Sequence, residues 1–161
     1  NGADEVDIVL NPGMMLSGHV AEAASEVEVL REEAQDVVLK VIIESGALKT
    51  PELIRQASLV SMFAGADFVK TSTGKIDVAA TPEAAFVMCH AIKDYYNVTG
   101  RKVGFKAAGG VRTPEDAALY YTIVEEVLGE EWLTTDLFRI GASSAANNLI
   151  SAIEDKDIKY Y

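Results

Sequence analysis

The sequence is poor in the residues that staple or ligate. It has one cysteine, Cys89, and two histidines in 161 residues. A lone cysteine excludes an intrachain disulfide framework, and neither a CxxC nor a histidine pair marks a structural zinc site. Positive charge is also scarce: 14 Lys and Arg stand against 25 Asp and Glu, a formal charge of −11. Such a chain repels phosphate backbones and anionic headgroups, so neither nucleic acid nor a membrane surface is an expected partner. An anionic substrate would need the few cations gathered in one place. No apolar run approaches the roughly 20 residues of a membrane span. Low-complexity linkers are absent, and 49% hydrophobic with 24% charged residues suits a single core-forming domain over 1–161. The chain opens on Asn1-Gly2-Ala3 and runs at once into a strand-like segment, so further sequence upstream is expected.

What is present is a repeat. Apolar segments recur at Val6–Leu10, Val37–Ile43, Phe68–Thr71, Lys102–Phe105 and Leu137–Ile140, with starts 31, 31, 34 and 35 residues apart. That spacing is close to one βαβ unit, and runs this continuous suit parallel strands buried on both faces. Between them, Leu53, Ile54, Ala57, Val60 and Ala64 fall on one helical face, as do Ala85, Met88, Ala91 and Ile92. Three helices begin on one tripeptide: Thr50-Pro51-Glu52, Thr81-Pro82-Glu83 and Thr113-Pro114-Glu115. The threonine hydroxyl can accept from orphan N–H groups, proline is harmless at the first helical position, and glutamate suits the positive end of the dipole.

Strand then helix, five times, defines an α/β chain. An open doubly wound sheet and a closed (β/α)8 barrel both fit, but no GxGxxG follows any strand. Polar residues at the ends of several strands favour the barrel. Five units are fewer than eight, so the expectation is a partial TIM barrel lacking the three N-terminal units.

Three strands carry lysines that buried parallel strands should exclude: Lys40, Lys70, and Lys106 just after Val103-Gly104-Phe105. Strand one adds Asp7. A single strand lysine is readily explained by snorkelling; three in consecutive strands, beside a carboxylate, favour a cluster in the barrel mouth. Crowding two ammonium groups in a partly desolvated site lowers lysine basicity, which permits Schiff-base chemistry on an aldehyde. Glycine loops follow the last three strands: Ser72-Thr73-Gly74-Lys75, Gly109-Gly110-Val111-Arg112 and Gly141-Ala142-Ser143-Ser144. Each could be only a turn or a cap. Together they sit where such barrels hold phosphate.

The segments Asp4–Val9, Leu39–Glu44, Gly65–Gly74, Val103–Arg112 and Arg139–Ser144 strongly resemble the 2-deoxyribose-5-phosphate aldolase family, in order and approximate spacing. The resemblance implies a class I aldolase on a TIM barrel, needing no metal or cofactor. It would reversibly split 2-deoxyribose 5-phosphate into glyceraldehyde 3-phosphate and acetaldehyde, in cytoplasmic deoxyribonucleotide catabolism. By motif match Lys70 would be the Schiff-base nucleophile, Lys106 would lower its pKa, and Asp7 would move protons through water with Lys40 close by. Gly74, Lys75, Gly110, Arg112, Gly141, Ser143 and Ser144 would surround the phosphate. A terminal tyrosine serves proton transfer in some members; Tyr161 could match it or belong to a disordered end.

Other residues read as structural. These are His19 and His90 on helices, Cys89 in an apolar helix, and Trp132 with Tyr120 and Tyr121 in packing. Glu125-Glu126 and Glu130-Glu131 read as a solvated face, and Glu44 could face the mouth. Asn97-Val98-Thr99 matches a glycosylation sequon that an intracellular enzyme would not use. Two alternatives stay open: a Schiff-base aldolase for another phosphorylated substrate, and an inactive fragment that self-associates or needs its missing units. Two open sheet edges favour a homo-oligomer.

Overall fold

In the computed structural model, which describes residues 2–142, 145–156 and 159, the threonine caps form as the sequence predicts. Thr50 accepts from the Leu53 N–H, Thr81 from Ala84 and Thr113 from Asp116, with proline opening each helix. At the third the Asp116 carboxylate also receives the Thr113 N–H at 3.0 Å, completing a capping box. These starts open α4 (Pro51–Phe63), α5 (Pro82–Thr99) and α6 (Pro114–Leu128), while α2 is Val20–Glu33 and α7 is Ala145–Glu154. Two short helices, α1 (Pro12–Leu16) and α3 (Ser45–Leu48), follow directly on the first two strands.

The five strands β1 (Glu5–Val9), β2 (Val38–Ile42), β3 (Phe68–Lys70), β4 (Gly104–Ala108) and β5 (Phe138–Gly141) form one parallel sheet in sequence order. Side chains alternate in direction along a strand. Leu39, Val41, Val69, Phe105 and Ala107 are fully buried, in one core with Ala57, Met62, Met88, Ile92 and Val124 of the helices. Lys40, Lys70 and Lys106 occupy the intervening positions. The sheet curls until its two edge strands meet across the concave side, where the Arg139 guanidinium of β5 bonds the Glu5 carboxylate of β1 at 3.1 and 3.3 Å.

Strand four departs from the expected Lys102–Phe105. Lys102 lies over the Trp132 ring at 4.5 Å, outside the sheet, and the Val103 carbonyl accepts from the indole. The ladder begins at Gly104, whose N–H reaches the Asp67 carbonyl at 2.8 Å. A side chain at 104 would strike the Phe68 ring, because a Cβ there would lie 2.3 Å from it. The small residues Ala107 and Ala108 then extend the strand. Lys106 is therefore a mid-strand residue, not one beyond the strand end.

Trp132 and Tyr120 are buried as expected, whereas Tyr121 is 45% exposed and only edges against Phe138. His19 is the residue before α2, where it meets Glu22, not a helical position; His90 packs edge-on to Phe86. Cys89 is fully buried, and burial pushes its thiol pKa up, away from thiolate chemistry. Among the described residues no helix is long and apolar enough to cross a membrane.

Candidate active site

Register brings the charges together. Asp7 pairs with Lys40 across β1 and β2, and Lys70 with Lys106 across β3 and β4. The three lysines converge on the Asp7 carboxylate. Asp7 Oδ2 receives Lys70 Nζ at 2.6 Å and Lys106 Nζ at 3.0 Å, while Oδ1 lies 3.3 Å from Lys40 Nζ. Lys40 is 3% exposed, and its closer partner is Glu5 at 2.5 Å. Glu5 thus links two cations, Lys40 and Arg139, beneath the Asp7 cluster. The sequence reading passed over Glu5 and Arg139. Their inward positions, in step with Asp7 and Gly141, were the available signal.

The electrostatics follow from this crowding. Burial alone would raise the Asp7 pKa, but hydrogen bonds from Lys70 and Lys106 outweigh it and bring it down to about 2. Lys106 is held below the usual lysine range, chiefly by burial, although its bond to Asp7 pulls the other way; the Lys70 and Lys40 charges add to the lowering. Hydrogen bonds from Lys40 and then Arg139 hold the Glu5 carboxyl below its ordinary value. Six ionisable groups, four cationic and two anionic, thereby leave the concave face positive within an acidic protein.

Lys70 and Lys106 open onto a cleft of about 530 Å³, whose opposite wall is made by the glycine loops. Gly74, Lys75, Gly110, Arg112 and Gly141 all line it. Gly109 and Gly110 take φ of 86° and 84°, and a Cβ on Gly109 would approach that of Ala79 to 2.5 Å, so both geometry and space call for glycine there. A Cβ at 141 would lie 2.9 Å from the Ala108 Cβ and 3.3 Å from Lys106 Cε, so Gly141 leaves room for Ala108 and for the Lys106 stem. Ser143, Ser144 and Tyr161 lie outside the described residues. Among the described residues, no group of three His, Cys, Asp or Glu side chains could hold a metal ion.

Glu44 does reach the mouth, but its carboxylate turns onto the loop after β3. It accepts the Thr73 N–H and the Thr73 hydroxyl, the latter at 2.5 Å. On the other flank the Thr71 hydroxyl donates to the Ala108 carbonyl at 2.9 Å and accepts the Ala108 N–H at 3.0 Å. Lys70 therefore leads into a segment fixed from both neighbouring strands.

A carboxylate shared by two lysines, facing a cleft rimmed with glycine N–H groups and cations, is an arrangement suited to imine chemistry on an anionic aldehyde. The chain is 46% identical over 149 residues to the mouse deoxyribose-phosphate aldolase, covering 92% of this chain and 47% of the mouse protein. It is 44% identical over 153 residues to a Caenorhabditis elegans protein given the same name provisionally, covering 95% of this chain and 50% of that one. The chain thus spans about half the length of the curated relatives it matches. A Toxoplasma gondii crystal structure, also provisionally named a deoxyribose-phosphate aldolase, superposes with a TM-score of 0.78 at 25% identity, over 95% of this chain and 60% of that one. The curled five-stranded sheet is accordingly part of a (β/α) barrel. The family model for DeoC/LacD aldolases matches residues 1–144, and the chain belongs to that family.

Proposed function

We propose that this chain carries the Schiff-base machinery of a class I deoxyribose-phosphate aldolase. The observation that supports it most is the shared Asp7 oxygen, with Lys70 and Lys106 at 2.6 and 3.0 Å. Lys70 must lose a proton before it can attack. Lys106, which burial holds below the usual lysine range, is the neighbouring amine that gives up its own proton more readily and can then take that of Lys70 by way of Asp7. The free Lys70 amine adds to C1 of open-chain 2-deoxyribose 5-phosphate, and loss of water gives the iminium.

Asp7, acting through a water, then removes the proton of the C3 hydroxyl. The C2–C3 bond breaks, glyceraldehyde 3-phosphate leaves, and the bonding electrons enter the enamine. Protonation at C2 and hydrolysis release acetaldehyde and restore the amine. Gly74, Lys75, Gly110, Arg112 and Gly141 receive the phosphate, and in the cell the reaction returns deoxynucleoside carbon to catabolism.

Acetaldehyde with borohydride tests this directly. A stable two-carbon adduct on Lys70, located by peptide mapping, is the expected result. A folded chain with no adduct on any of the three lysines would overturn it.

A second reading concerns assembly. Val9, Leu16, Val29 and Leu30 are 43–59% exposed on the β1 side of the sheet, which favours a chain whose lyase activity needs that face covered by another copy. Specific labelling of Lys70 should then rise with protein concentration in step with oligomer formation on a sizing column. Equal labelling of monomer and oligomer would exclude the need.

A further inference from the structure

Glu44 stands apart from the lysine cluster. It is 6% exposed, and it takes φ 53° and ψ 59°, a left-handed conformation that side chains other than asparagine or glycine rarely adopt. A buried carboxylate in so unfavourable a backbone geometry needs a compensating set of contacts. All the hydrogen bonds of its carboxylate described above go to one residue, Thr73: the N–H at 3.2 and 3.3 Å to the two oxygens and the hydroxyl at 2.5 Å. That hydroxyl, oriented by donating to Glu44, in turn accepts the Lys75 N–H at 3.1 Å. Gly74, between them, has φ 75°, and its backbone packs against Gly109 of the next loop. The chain of contacts runs from Glu44 to Thr73, and from there to Lys75 and, through Gly74, to the neighbouring glycine loop.

We infer that Glu44 is a positioning residue for the phosphate-binding wall of the cleft, fixing the Thr73-Gly74-Lys75 turn and thereby setting preference for phosphorylated over unphosphorylated aldehydes. The inference rests on the phosphate role assigned above to Gly74 and Lys75. It differs from a general structural role, because the bonds that hold Lys70 do not involve the Glu44 carboxylate. The Lys70 carbonyl accepts from Ile43, and the following Thr71 is fixed by Ser45 and Ala108. Loss of the carboxylate should therefore loosen the turn and leave the nucleophile in place.

The test is borohydride trapping at Lys70 with acetaldehyde, 2-deoxyribose and 2-deoxyribose 5-phosphate, each over a concentration series. Glu44→Gly suits the left-handed backbone while removing the carboxylate. It should raise the half-saturating concentration of the phosphorylated sugar about tenfold, the scale of one lost charged hydrogen bond. Trapping with acetaldehyde and with 2-deoxyribose should stay as in the parent, including its pH profile. Thr73→Val, which leaves the Glu44 backbone untouched, should give the same loss for the phosphorylated sugar even if Glu44→Gly folds poorly. Phosphate preference kept in full by both variants, or an equal loss for all three aldehydes, would overturn the role of Glu44 alone. A parent chain that forms the adduct without preferring the phosphorylated sugar would overturn the phosphate reading and this inference with it.

Discussion

Asparagine in place of Asp7 should slow cleavage of 2-deoxyribose 5-phosphate by about 10²- to 10⁴-fold, the usual range for losing a positioned proton carrier. It should also redirect the label in acetaldehyde trapping. Of the influences on Lys106, only those from Asp7 favour its protonated form; burial, Lys70 and Lys40 all disfavour it. Without the carboxylate only the lowering influences remain, so Lys106 becomes a free amine at lower pH and competes as nucleophile. Peptide mapping of the Asp7→Asn variant should therefore find adduct on Lys106 as well as Lys70. Label confined to Lys70, with an unchanged pH profile, would sink the argument.

The same substitution has a stability signature of defined sign. The folded Asp7 carboxyl titrates at about 2 against an ordinary value of 3.8. It therefore contributes stability that is fully present above that ordinary value and is lost as the pH falls through 2. Denaturant midpoints of parent and variant should converge as the solution is acidified across that window.

The residues of this site were legible in the sequence to different depths, for physical reasons. Lys40, Lys70 and Asp7 betrayed themselves because charge is out of place in buried parallel strands, and the threonine-proline-glutamate starts because a cap is a contact within three residues. Glu5 and Arg139 were marked only by standing two residues from Asp7 and Gly141, a weaker signal. Each sits at a strand position where a charged residue can equally face solvent, and the bond between them joins residues 134 positions apart. It forms only because the sheet curls. Strand four was misplaced because β-branched and aromatic residues are what mark a strand, whereas Gly104, Ala107 and Ala108 are there for space. One glycine admits the Phe68 ring, and the alanines continue the buried ladder. Glu44 was visible as a residue of the mouth, but its left-handed backbone, which swings the carboxylate onto Thr73, is not written in its own side chain.

The acidity of the whole chain and the phosphate proposed for its cleft are reconciled by where the charges sit. The acidic residues read from the sequence as a solvated face, such as Glu125-Glu126, are on the outer helices and the turn after them. The four cations Lys40, Lys70, Lys106 and Arg139 face inward against two carboxylates. Field lines focus in such a cleft, so the local excess governs an anion that has entered it.

Methionine in place of Lys106 isolates the proton-transfer role, because it keeps the stem that packs beside Gly141 and removes only the amine. In the parent, burial favours the neutral form of Lys106 and its amine shares an Asp7 oxygen with Lys70, which makes it the acceptor proposed for the Lys70 proton. The variant leaves Lys70 bonded to Asp7 at 2.6 Å with no amine beside it to receive its proton. Trapping of acetaldehyde on Lys70 at neutral pH should fall by about 10²-fold or more, and the labelling profile should move to higher pH, where solvent hydroxide replaces the missing acceptor. Two readouts separate this from simple disruption of the fold. The parent labelling rate should be approached at alkaline pH, which a misfolded site would not allow. A small external amine that fits the vacated end of residue 106 should restore part of the neutral-pH rate in proportion to its basicity. If Lys106→Met labels Lys70 with the parent's rate and pH profile, the nucleophile is freed by some other group, and the shared carboxylate oxygen is only an ion pair.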